Sequence, residues 1–141
     1  MVEVVDVSGK FAQYLDPVNS TADWCVGKLG VPVGEYSIEL HDEEGIKERN
    51  LRLLGHNYAT DVISSDWSLG KIQVYEIYLG IPVILENAAE GGVPAQNELL
   101  RCLVHGFLHL RGMDDRTEEL RAEMRRKEDE YMKMFHVEHH E

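Results

Sequence analysis

Cysteine is scarce: the chain holds two, Cys25 and Cys102, and no CxxC pair. That usage excludes a disulfide framework and a thiolate zinc site, and fits free thiols in a reducing compartment. Long apolar runs are missing too. The longest, IYLGIPVIL at 77–85, is about half of what spans a bilayer and contains Pro82. The amino end, MVEVVDVSGK, carries acids where a secretion signal needs bases followed by an apolar stretch. We expect a soluble, cytoplasmic protein with no membrane partner.

A basic excess is also lacking. Against 26 Asp and Glu stand 14 Lys and Arg, giving a net charge of −12. Nucleic-acid binding over a broad surface is disfavoured, because polyphosphate recognition rests on clustered cations. Any such contact must be local. What is present is an ordinary globular composition, 43% hydrophobic and 28% charged over 141 residues. That length holds one domain with its own core, so a single domain over 1–141 is expected.

Hydrophobic periodicity gives the elements. Alternation predicts strands at 2–7, 35–42, 60–65 and 74–81. Helical spacing predicts a helix from Asp16 to Gly30 and another ending at Gly55. A short helix opens at Pro82, a broad-striped one precedes Gly112, and a charged one is capped by Thr117. The order β-α-β-α-β-β-α-α-α predicts an α+β domain, with a mixed sheet of about four strands and packed helices.

The chemistry concentrates in VHGFLHLRGMDD, residues 104–115. Residues four apart on a helix differ by about 40° around its axis, so His105 and His109 point the same way. Gly112 can take the left-handed conformation that ends the helix. Asp115, six residues after His109, can then swing back to the same point. The pattern H-x-x-x-H-x-x-G-x-x-D has the spacing of a zincin-type metal site, with two ligands from a helix and a third from the turn. The alternative is two satisfied histidines on a buried helix. On spacing Asp115 is the ligand and Asp114 a bystander.

One familiar part is absent. Gly106 stands where HExxH peptidases carry the glutamate that serves as general base. A glycine inside a helix costs about 1 kcal/mol relative to alanine, so something must approach the backbone there, either substrate or a packed strand. A peptidase mechanism is disfavoured.

These residues resemble a known family. HGFLHLRGMDD is similar to the HGxLHLxGYDH signature of the bacterial YbeY endoribonucleases, TDVISSD at 60–66 to their TDVLSF or TDVITFD strand, and YEIYLGIPVILENA at 75–88 to their following strand and helix. NLRLLGHNYATDV keeps the distance from Asn50 to that strand, and RTEELRAEMRRKEDEYM resembles the tail of some members. The resemblance spans roughly 35–132. It implies a metal-dependent, single-strand-specific endoribonuclease acting in 16S rRNA 3′-end maturation and ribosome quality control. Single-stranded rRNA and the small ribosomal subunit would be its partners. Its ligands would be His105, His109 and Asp115, the last where most members have histidine. Leu54 falls where many members carry an arginine, Ser65 replaces an aromatic or small apolar residue, and Tyr75 replaces a glycine.

Three protein ligands leave a position open on one divalent ion, expected to be zinc, which lowers the pKa of water held there. The three side chains would act in catalysis through that water. The same ligands also suit Fe(II), Mn(II) or Ni(II). Thr60, Asp61, Arg111 and Arg116 are candidate contacts to RNA or the cleft. Cys102, one turn before His105, is assigned to core filling. His41 and His56 are read as surface residues, and His136, His139 and His140 as a frayed tail. Two other functions remain open: a ribosome-associated binding protein with a structural metal, and a metal hydrolase of another substrate.

Overall fold

The structure is a computed structural model describing residues 1–139, so His140 of the tail lies outside the described residues. Strands β1 (Val2–Asp6), β2 (Glu35–His41), β3 (Val62–Asp66) and β4 (Val74–Gly80) form one sheet in the order β1-β2-β4-β3. β1, β2 and β4 run parallel, and β3 lies antiparallel on the edge beside β4. The helices are α1 (Leu15–Lys28), α2 (Glu43–Leu54), α3 (Ile81–Gly91), α4 (Ala95–Leu110) and α5 (Glu118–Glu138). The α+β class and the mixed four-stranded sheet agree with the sequence reading. A short 3-10 turn at Ala12–Tyr14 is the element it left out.

Strand alternation decides which face is the core. Tyr36, Ile38 and Leu40 of β2 sit opposite Tyr75, Ile77 and Leu79 of β4, and all six are buried against α1, α3 and α4. The Tyr36 and Tyr75 rings stack with centroids 5.0 Å apart. That packing gives Tyr75 a role at a position where the resemblance puts glycine. On the opposite face α2 covers a smaller cluster of Ile46, Ile63 and Tyr78. Asp42 caps α2 by accepting from the Gly45 amide at 2.9 Å, and Thr117 caps α5 by accepting from the Leu120 amide at 3.1 Å.

α4 is the most enclosed helix, with Leu103, Val104, Phe107 and Leu108 at 0% exposure. Gly106 lets it lie close on the sheet. A Cβ there would stand 3.1 Å from Ser64 Oγ and 3.3 Å from both Ile77 Cδ1 and Val62 Cγ2. Its carbonyl accepts from the Ser64 hydroxyl at 2.8 Å. Of the two readings of this glycine, the packed strand is the one observed.

Two expectations change. His41 is buried at 3% exposure, its Nε2 2.7 Å from Glu39 Oε1, because α2 closes over the end of β2. The tail through His136 does not fray: α5 continues to Glu138, whose carboxylate accepts from Trp24 Nε1 at 3.2 Å. Phe135 packs edge-on to Trp24 and the His139 ring stacks on Phe135, so an apolar anchor holds the last turn. His56 is exposed as expected. Among the described residues no helix is long and apolar enough to cross a membrane.

Candidate metal centre

His105 and His109 project from the solvent-facing side of α4. The chain then turns at Gly112, whose φ of +107° lies where a side chain is strained. The Met113 amide donates to the Leu108 carbonyl at 3.0 Å, closing the helix end. That turn brings Asp115 back over the histidines. His109 Nε2 lies 3.0 Å from His105 Nε2. Asp115 Oδ2 lies 3.3 Å from His109 Nε2 and 3.5 Å from His105 Nε2. Bonds of about 2.0–2.2 Å to a central ion give tetrahedral edges of about 3.3–3.6 Å, which the two separations to Asp115 match, while the 3.0 Å between the histidines is a little shorter.

The other ring nitrogens are occupied. His105 Nδ1 donates to Glu128 Oε2 at 2.7 Å, and His109 Nδ1 donates to the Met113 carbonyl at 3.0 Å. With both Nδ1 protons placed, each Nε2 offers a lone pair. Three acceptors then face one point, and a cation is the partner that satisfies them. Burial disfavours a charged His105, yet the hydrogen bond and charge of Glu128, with Asp115 and Asp61, more than offset this and raise its pKa. The residues fit a divalent ion, and two nitrogens with one oxygen do not choose among zinc, iron, manganese and nickel.

The triad opens on a cleft of about 730 Å³ along β3, lined among others by Leu54, Thr60, Asp61, Ser64 and Asp66. Thr60 and Asp61 therefore reach the cleft. Arg111 does not: its guanidinium turns into the protein, donating to the Leu29 carbonyl at 2.9 Å and Tyr131 Oη at 3.1 Å. Two helical residues past His109 means about 200° around the axis, which points it away. Arg116 is exposed and spends its Nε on Asp114 Oδ2 at 2.6 Å. Asp114 stays outside the His105, His109 and Asp115 group, as expected, but it has a structural part. Its Oδ1 accepts from the amides of Asp115 and Arg116 at 2.7 and 3.1 Å, bracing the turn that carries the third candidate ligand. The bond from Arg116, with those amides, lowers its pKa.

Comparison with known proteins places this arrangement. A family profile described as Endoribonuclease YbeY matches residues 8–136. The chain is 41% identical over 104 residues to an endoribonuclease YbeY of Flavobacterium psychrophilum, covering 74% of each protein. It is 39% identical over 107 residues to that of Chlorobaculum tepidum, covering 76% of this chain and 78% of the relative. The chain belongs to the YbeY family. A solution structure of a protein from Thermotoga maritima superposes with a TM-score of 0.65 at 28% identity, covering 98% of this chain and 91% of that one. The family match also extends well to the amino side of the motifs that carried the resemblance.

Within this YbeY fold, the residue that sequence reasoning missed is Glu128. It is 5% exposed, yet it carries a carboxylate between His105 Nδ1 and Arg101 Nη1, the latter at 3.1 Å. Outer partners of this kind fix the tautomer and orientation of a metal-binding imidazole. A signal was available: Met124, Glu128 and Tyr131 are the buried residues of α5, at i, i+4 and i+7. A charge on the buried stripe of a helix needs a partner. Cys102 is a different case. Its ligand atom lies within 4.8 Å of those of Asp61 and Glu98, but burial first, and those two carboxylates next, push its thiol pKa far up. As a neutral thiol its one S–H has two acceptors in reach, Asp61 Oδ2 at 3.6 Å and Glu98 Oε2 at 3.9 Å. The group reads as a hydrogen-bonded brace between α4 and the start of β3.

Proposed function

We propose that this protein is a metal-dependent, single-strand-specific endoribonuclease, one domain throughout, that matures the 3′ end of 16S rRNA and serves ribosome quality control in the cytoplasm. The observation that carries the reading is the convergence of His105, His109 and Asp115 on one point beside an open cleft. Family membership supports the nuclease over the binding-protein and other-hydrolase alternatives. Position 106 adds to this, since it faces β3 and β4 where a peptidase would need its glutamate.

The chain's own residues divide the work. His105, His109 and Asp115 hold the ion, proposed to be zinc, and Glu128 keeps the His105 ring turned. When bound, the ion supplies Lewis-acid stabilisation of phosphate charge and activation of water. Asp61 and Thr60 line the cleft floor, where Asp61 Oδ1 is held by the Val62 amide at 2.8 Å. The cleft runs past both β3 and the triad, which suits an unpaired strand laid across it.

Elemental analysis of purified protein, combined with cleavage of single- and double-stranded RNA, tests the reading. The wild type is expected to hold one divalent ion and to cut the single strand. His109→Ala should lose the ion and more than about a hundredfold in rate, beyond the loss typical of an outer partner. Full cleavage by His109→Ala in chelator would overturn the metal role. Normal 16S rRNA 3′ ends in cells lacking the protein would overturn the maturation role.

A further inference from the structure

The cleft that would receive RNA is lined by Asp61, Asp66 and Asp115 and by no lysine or arginine, with Leu54 at its rim. A phosphodiester strand entering it meets like charge everywhere except at the ion. Cations must therefore come from another side of the triad. A smaller recess of about 210 Å³ shares His105 and Asp115 with the cleft and is lined by Arg121, Met124, Arg125 and Glu128 of α5. Resting on the nuclease reading, we propose that Arg121 and Arg125 are the phosphate-binding residues of this site. They would hold the RNA backbone on the α5 side of the ion.

Three observations support the assignment. First, the two arginines are four residues apart, so they stand on one side of α5 about 6 Å apart along its axis. That places two guanidinium groups in a row beside the ligands. Second, they are uncommitted in a chain that pairs most of its arginines. Arg49, Arg52, Arg101, Arg116 and Arg126 each have a carboxylate partner. Among the described residues no carboxylate lies within 4.0 Å of Arg121 or Arg125. Arg121 makes only long bonds, 3.4 Å each, to the carbonyls of Asp115 and Arg116, so it already leans over the ligand turn. Third, guanidinium geometry suits the task, because its planar fork meets two phosphate oxygens at once. The arrangement also answers the objection raised by a net charge of −12. The required cations are present, local, and line one recess with His105 and Asp115.

The test uses the metal-loaded protein and a labelled single-stranded RNA, with Arg125→Ala, Arg121→Ala, the double variant and Arg125→Lys. KM and kcat for cleavage are measured over a series of salt concentrations, with metal content checked by elemental analysis. In parallel, RNA binding to chelator-treated protein is followed by fluorescence anisotropy over the same salts. For each arginine removed, KM should rise about tenfold, as for a hydrogen bond to a charged group, with kcat moving less. The dependence of log affinity on log salt should become shallower by about 0.7 per arginine, the value for one phosphate contact on a single strand. Arg125→Lys should restore the salt slope and only part of the affinity. Unchanged KM and slope in the double variant would overturn the inference and leave the nuclease reading intact. Loss of the ion in Arg125→Ala would also overturn it, by assigning that residue to the scaffold. If the wild type cut no RNA, the nuclease reading would fall, and the anisotropy slopes alone would decide the arginines.

Discussion

The three proposed ligands are held in two different ways. His105 and His109 ride on α4, whose other side is sunk in the main core, so packing sets their positions. Asp115 rides on a turn, where hydrogen bonds set its position: the Met113 carbonyl accepts from His109, and Asp114 accepts from two amides. Core packing is rigid and cooperative, whereas a turn on the surface can be re-made at little cost to the whole. The histidines thus belong to the fold and the aspartate to the loop. Of the three proposed ligands, the one on the loop is where the chain departs from the HGxLHLxGYDH pattern that it resembles.

The difference can be broken or sharpened by substitution. The largest effect is expected at Gly106. Leucine there would overpack Ser64, Ile77 and Val62, costing about 3 kcal/mol and lifting α4 off the sheet. Thermal unfolding and metal titration should fall together. Next comes Glu128→Gln, which keeps the shape but weakens the hold on His105. A 10- to 100-fold loss of metal affinity is expected, roughly the value for outer partners, with a smaller change in Tm. The smallest is Gly112→Ala. Nothing lies within 4 Å of the added methyl, so the penalty is backbone strain of about 1–2 kcal/mol, and the displaced Asp115 weakens the ion's hold. A Gly112→Ala protein less stable than Gly106→Leu would sink the contrast between core-held and turn-held ligands.

Much of this was legible in the sequence because it is written in local periods. The strands were read to within two residues at either end, and α4 by its broad apolar stripe, since strand alternation and helical spacing need no tertiary knowledge. The converging triad was readable for the same reason: two positions on one helix and a glycine turn are local geometry. What was not readable lies across the fold. Glu128 is 23 positions from His105, in a helix crowded with other acids, and only its place on the buried stripe sets it apart. Arg111 and Arg116 looked close to the site because they are close in sequence, but helix rotation carried one away and Asp114 engaged the other. Arg121 and Arg125, further along the chain, are the ones that α5 lays against the triad.

The edge position of β3 has a consequence of another kind. An edge strand offers unpaired amides and carbonyls to any extended chain that passes, and exposed edges of that sort seed aggregation. Here the strand is only five residues long. It is preceded by Asp61, ends in Asp66, carries Ser64 and Ser65 between them, and runs along the cleft beside the ligands. The acids that line the cleft also make it unwelcoming to a neighbouring β-strand. An opening kept free for one polymer is thereby guarded against sticking to another copy of the protein itself.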